Sequence, residues 1–105
     1  MTTSGLYHVL HNFAGGSDGK GANQLVFDQH GNLYGTSTLG GASGAGIVFK
    51  VTPAGQETVL YTFTGGADGG NPGYVGLILD AAGNLYGTTQ SGGAFGNGTV
   101  FKLTP

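Results

Sequence analysis

The sequence has no cysteine and no tryptophan, and only 8% of its residues are charged. Without cysteine there is no disulfide framework, no thiolate nucleophile and no Cys-ligated metal. The sparse charge, three Lys and Arg in all for a net of -2, builds no basic field for nucleic acid or an anionic membrane surface. No apolar run approaches the roughly 18 residues of a membrane-spanning helix, and no stretch carries the 3.6-residue apolar period of an amphipathic helix. Met1-Thr2-Thr3-Ser4 has neither a basic nor an apolar leader segment, so an exported parent is expected to carry its signal elsewhere.

Glycine is what the chain has instead, at 24 of 105 residues. Each Gly inside regular structure costs roughly 0.5–1 kcal/mol relative to Ala, so glycines are expected in turns while short apolar blocks form strands. Those blocks occur twice. Leu25-Val26-Phe27 leads into Asp28-Gln29-His30-Gly31-Asn32-Leu33-Tyr34-Gly35-Thr36-Ser37, then Gly40-Gly41, then Ile47-Val48-Phe49-Lys50-Val51-Thr52-Pro53. Leu77-Ile78-Leu79 leads into Asp80-Ala81-Ala82-Gly83-Asn84-Leu85-Tyr86-Gly87-Thr88-Thr89, then Gly92-Gly93, then Thr99-Val100-Phe101-Lys102-Leu103-Thr104-Pro105. Upstream, Gly15-Gly16-Ser17-Asp18-Gly19 matches Gly65-Gly66-Ala67-Asp68-Gly69. Phe13 and Phe63 lie 50 apart and Asp28 and Asp80 lie 52 apart, so two residues are inserted near Asn71-Pro72-Gly73-Tyr74, which reads as a surface loop.

Period-2 alternation predicts strands over Leu6–Phe13, Leu25–Phe27, Leu33–Thr36 and Ile47–Thr52, and over Glu57–Phe63, Leu77–Leu79, Leu85–Thr89 and Thr99–Thr104. The Asp-x-x-Gly-Asn segments are turns between them. Ile47, Phe49 and Val51 are expected to face the core, with Lys50 and Val48 opposite. Two repeats, 1–53 and 54–105, each of four short antiparallel strands without a helix, predict an all-β fold of β-propeller blades. The leading strand of one repeat lacks three partners before it, and the last three strands lack a fourth after them. Two such blades expose apolar faces and open edges. The expectation is therefore a homo-oligomeric ring in which copies lend one another strands: a trimer giving six blades or a tetramer giving eight.

The string Gly-Asn-Leu-Tyr-Gly-Thr-(Thr/Ser), then Gly-Gly, then Gly-(Thr/Ile)-Val-Phe-Lys-(Leu/Val)-Thr-Pro resembles the GloVer tandem-repeat family of bacterial surface or secreted proteins, and both repeats carry it. That resemblance implies a propeller-like array and an exported parent, with no activity attached. A weaker likeness is to propeller lectins, whose Phe-x-Asp-x-x-Gly-x-Leu-Tyr hairpin Phe27-Asp28 follows better than Leu79-Asp80, and which hold sugars between blades.

Few residues offer chemistry. His8 and His11 fall on opposite faces of one strand, and their counterparts Thr58 and Tyr61 are not equivalent ligands, so no metal site is expected. Asp28 and Asp80, like Asp18 and Asp68, recur once per repeat as turn formers. Each Gly-Gly-x-Asp-Gly loop offers a single carboxylate, short of what Ca²⁺ wants. Glu57, the only glutamate, has no carboxylate near it in sequence. There is no Gly-x-Ser-x-Gly nucleophile motif and no phosphate-cradling loop with its Lys-Ser/Thr. Neither catalysis nor a cofactor is expected. The reading is a structural or binding module. The alternative is a lectin-like propeller binding a glycan through amides and aromatics of the variable loops: Asn23, Gln24, Asn71, Tyr74, Gln90, Ser91, Phe95 and Asn97. A stacked ring covers an apolar sugar face while amides bond its hydroxyls.

Overall fold

A computed structural model describes residues 9–73 and 76–105. Among them are nine strands and no helix, so the all-β expectation holds. In chain order they are β1 (Lys20–Ala22), β2 (Val26–Phe27), β3 (Leu33–Leu39), β4 (Ile47–Val51), β5 (Glu57–Thr62), β6 (Gly70–Pro72), β7 (Ile78–Leu79), β8 (Leu85–Ser91) and β9 (Thr99–Leu103).

They form two antiparallel sheets. In the first, β1 and β2 line up end to end along one edge of β3, and β4 and β5 follow on its other side. In the second, β6 and β7 do the same along β8, and β9 lies beyond. The registers repeat at an offset of 52: Leu33 pairs with Val51 and Ser37 with Ile47, as Leu85 pairs with Leu103 and Thr89 with Thr99. The first sheet runs past residue 53, because β5 is its outermost strand.

Two expectations change, and a third feature concerns exposure. Lys20–Ala22 and Gly70–Pro72 are strands rather than loop. Residues 9–13 form no strand, while Leu6 to His8 lie outside the described residues. The short strands Val26–Phe27 and Ile78–Leu79 are only partly covered: Phe27 and Ile78 are each 69% exposed.

The larger core lies between the sheets. Tyr34, Val48 and Phe63 pack with Leu77 and Leu85, joined by Val26, Leu60, Leu79, Phe101 and Leu103. Val48 is therefore core, although it shares a face with Lys50. The opposite face of the first sheet carries Ile47, Phe49 and Val51, packed with Leu33 and Phe13. Both faces of the first sheet are apolar, one packed on the second sheet and the other on Phe13.

Candidate functional site

The repeated motif is a self-contained turn. Asp28 Oδ1 accepts the backbone N–H of His30 at 2.8 Å and of Asn32 at 3.0 Å, while Oδ2 accepts Asn32 Nδ2 at 3.0 Å and the Tyr34 hydroxyl at 2.9 Å. Asp80 repeats all four bonds with Ala82, Asn84 and Tyr86. Hydrogen bonds to a carboxylate favour its charged form. Those donated by Asn84 and Tyr86 hold Asp80 down at about 2, and the Asn32 amide, with the other donors, holds Asp28 lower still. Asp68 is likewise held at about 2, chiefly by the Thr64 hydroxyl and then the Tyr61 hydroxyl. The carboxylates recurring in the repeats are thus engaged in their own turns, as the sequence predicts.

The next residues of the motif answer to the partner strand. Gly87 leaves room for the Phe101 ring: a Cβ there would lie 2.6 Å from Phe101 Cζ. Gly35 does the same for Phe49. The hydroxyl two residues on closes the hairpin, with Ile47 N donating to Ser37 Oγ at 3.3 Å and Thr99 N to Thr89 Oγ1 at 3.0 Å. Ser and Thr are interchangeable here because only the oxygen is used.

The eight loop residues singled out as ligand contacts divide into two sets. Asn23 donates to Thr36 Oγ1 and Thr38 Oγ1 at 3.0 and 3.1 Å. Asn71 donates from Nδ2 to Thr38 O at 3.0 Å, accepts the Ser91 hydroxyl at 2.7 Å, and bonds Ala45 O through its backbone N–H. Asn71 sits at φ 51°, a left-handed position that Asn tolerates better than most residues. Asn23, Asn71 and Ser91 therefore spend their polar groups on the fold, and Asn71 ties the second sheet to the first. Gln24, Gln90, Phe95 and Asn97 are exposed, Phe95 at 91%. Tyr74 lies outside the described residues. Lys50 is half-buried and Lys102 exposed.

What the sequence reading underweighted is a pair of complementary faces. One face of the second sheet, with Leu77, Leu85, Phe101 and Leu103, packs on the face of the first that carries Val26, Tyr34 and Val48. Among the described residues neither end carries a second sheet: on the first sheet Phe13 covers the matching face, leaving Phe49 2% and Val51 5% exposed, while on the second sheet the matching face is exposed. At one end Leu25, Leu33, Phe49 and Val51 line a hollow beside Leu10 and Phe13. At the other, Ile78, Tyr86, Gly87 and Val100 line a second, strongly apolar hollow. Val48 is 0% exposed and its counterpart Val100 is 83% exposed. The signal was present in Val48 and Val100, which read as outward-facing only if one face of each sheet is assumed to meet water.

The structure also gathers His11, Asp18 and Glu57, with one ligating atom from each lying within 4.8 Å of the others. Sequence spacing could not show this, since β5 delivers Glu57 from far along the chain.

Compared with known families, the sequence matches one described as the Gloeobacter/Verrucomicrobia repeat over residues 1–105. No curated protein and no solved structure gave a match.

Proposed function

The chain belongs to the Gloeobacter/Verrucomicrobia repeat family, and from that premise we propose that it is a non-catalytic structural and binding module whose sheets are blades of a closed β-propeller completed by further copies of the chain. One comparison carries this reading: Val48 is fully covered by the neighbouring sheet, while Val100, at the same position of the second sheet, is 83% exposed. The face that covers Val48 is present again at the first sheet, with Phe13 on it and no second sheet among the described residues. Head-to-tail contact of two unlike faces is a heterologous interface, which closes into a ring when its rotation divides the circle. The edge argues the same way. β4 gains β5 as a fourth row, whereas β9 has β8 alone among the described strands, so a segment of another copy fits there. Phe13 already packs on Phe49 with ring centroids 5.0 Å apart, as Phe63 packs on Phe101 at 5.3 Å. The N-terminal segment thus sits against the first sheet as β5 and its extension sit against the second. Native mass spectrometry should give three copies, making six blades, or four, making eight. A folded 10.4 kDa monomer at micromolar concentration overturns the proposal.

A second reading follows from the exposed ring of Phe95 on the loop after β8, which also presents Asn97, with Gln90 exposed near the end of β8. An aromatic with neighbouring amides suits the apolar face and hydroxyls of a sugar. In this reading the assembled ring binds glycan at blade boundaries. A glycan array probed with assembled protein, with Phe95→Ala as control, should show binding that the substitution removes; a blank array rejects it.

A further inference from the structure

We propose that His11, Asp18 and Glu57 bind one divalent transition-metal ion of the zinc class per chain. Three segments supply the donors: the stretch before the first turn, the Gly15–Gly19 loop, and the first residue of β5. His11 Nε2 lies 3.5 Å from Asp18 Oδ2 and 3.4 Å from Glu57 Oε1. These separations are long for hydrogen bonds, whose N···O mode is about 2.9–3.0 Å. These two separations are close to the edges of a coordination tetrahedron, and all three donor atoms lie within 4.8 Å of one another. Metal–ligand bonds of about 2.0–2.1 Å to imidazole and carboxylate place ligand atoms about 3.3–3.4 Å apart.

Burial gives a second, independent indication. The Glu57 side chain is 9% exposed, and its Oε2 and His11 Nε2 are buried without a hydrogen-bond partner. A buried carboxylate oxygen left unpaired is costly. A cation between them would satisfy His11 and Glu57, with Asp18, whose Oδ2 also accepts the Ala14 backbone N–H at 2.9 Å, as the third donor. The donor set of one nitrogen and two carboxylates lies within the zinc repertoire and is poor for Ca²⁺, which takes six to eight oxygens.

The second repeat is the internal comparison. There Tyr61 stands where His11 does, and its hydroxyl donates directly to Asp68 Oδ2 at 2.6 Å. The phenol makes a direct hydrogen bond to its carboxylate, while the imidazole stays 3.5 Å from Asp18. The site therefore occurs once per chain whatever number of copies assembles, and its failure would leave the ring proposal untouched.

The test is calorimetric titration of chelator-treated full chain with zinc chloride. The expected result is saturable binding at one zinc per chain and a rise in melting temperature with zinc. His11→Tyr, the residue the second repeat already uses, should abolish binding, and Glu57→Gln should weaken it at least tenfold. Circular dichroism checks that each variant folds, so that either one alone can carry the comparison. No saturable zinc binding, loss of less than tenfold in the folded variants, or equal binding of calcium overturns the proposal.

Discussion

At the scale of single residues, the repeated carboxylates set how the fold responds to acid. Asp68 and Asp80 titrate near 2 in the folded chain, below the ordinary 3.8. A depressed folded value means stability that is present above the ordinary value and lost as pH falls toward the folded one. Far-UV circular dichroism should therefore show unfolding set in below about pH 4 and steepen toward pH 2. Asp80→Asn should flatten that slope, and an unchanged acid profile would remove the turn from the explanation. The glycines separate by what surrounds them. A Cβ at Gly87 would meet Phe101 Cζ at 2.6 Å and Leu77 Cδ2 at 2.9 Å, so Gly87→Ala should cost about 1–3 kcal/mol through overpacking. Gly16 has nothing within 4 Å and no positive φ, and Gly16→Ala should change stability by no more than about 1 kcal/mol, in the stabilising direction if at all. Urea unfolding of the two variants measures the difference.

At the scale of elements, alternation in the sequence located seven of the nine strands within a few residues. Lys20–Ala22 and Gly70–Pro72 escaped it for a physical reason. They pair through alternate residues only, Lys20 with Leu39 and Ala22 with Ser37, Gly70 with Ser91 and Pro72 with Thr89. The residue between each pair, Gly21 or Asn71, has positive φ, which breaks the pleat that alternation depends on. Residues 9–13 failed in the other direction: their pattern is a strand's, but a strand needs a partner, and among the described residues none pairs with them. The stacking of one sheet on another makes its own prediction. Val48→Ala should destabilise the chain by about 1.5–3 kcal/mol, the worth of a buried valine. Val100→Ala should be nearly neutral in an isolated chain and comparably costly in an assembled ring. Urea unfolding above and below the assembly concentration checks this, and a Val100→Ala effect that ignores concentration counts against the ring.

At the scale of the whole molecule, the surface is too large for its mass. The chain exposes 6212 Å², against about 5400 Å² expected of a folded monomer of this size. The radius of gyration tells the same story, at 14.0 Å against about 13 Å for a compact domain of this length. The two sheets stack on one another through a single shared core, and the outer face of the second carries the exposed Val100 and Ile78.

The repeat, the turns and most of the strands are legible in the residues alone, because they depend on neighbours a few residues away: a carboxylate reaching the next amides, glycine allowing positive φ, side chains alternating along a pleat. Tertiary structure decided which faces are buried, that β5 completes the sheet before it, and that Glu57 comes to rest beside His11 and Asp18. Those outcomes depend on how one sheet packs on the next, which brings together residues whose separation along the chain carries no local signal.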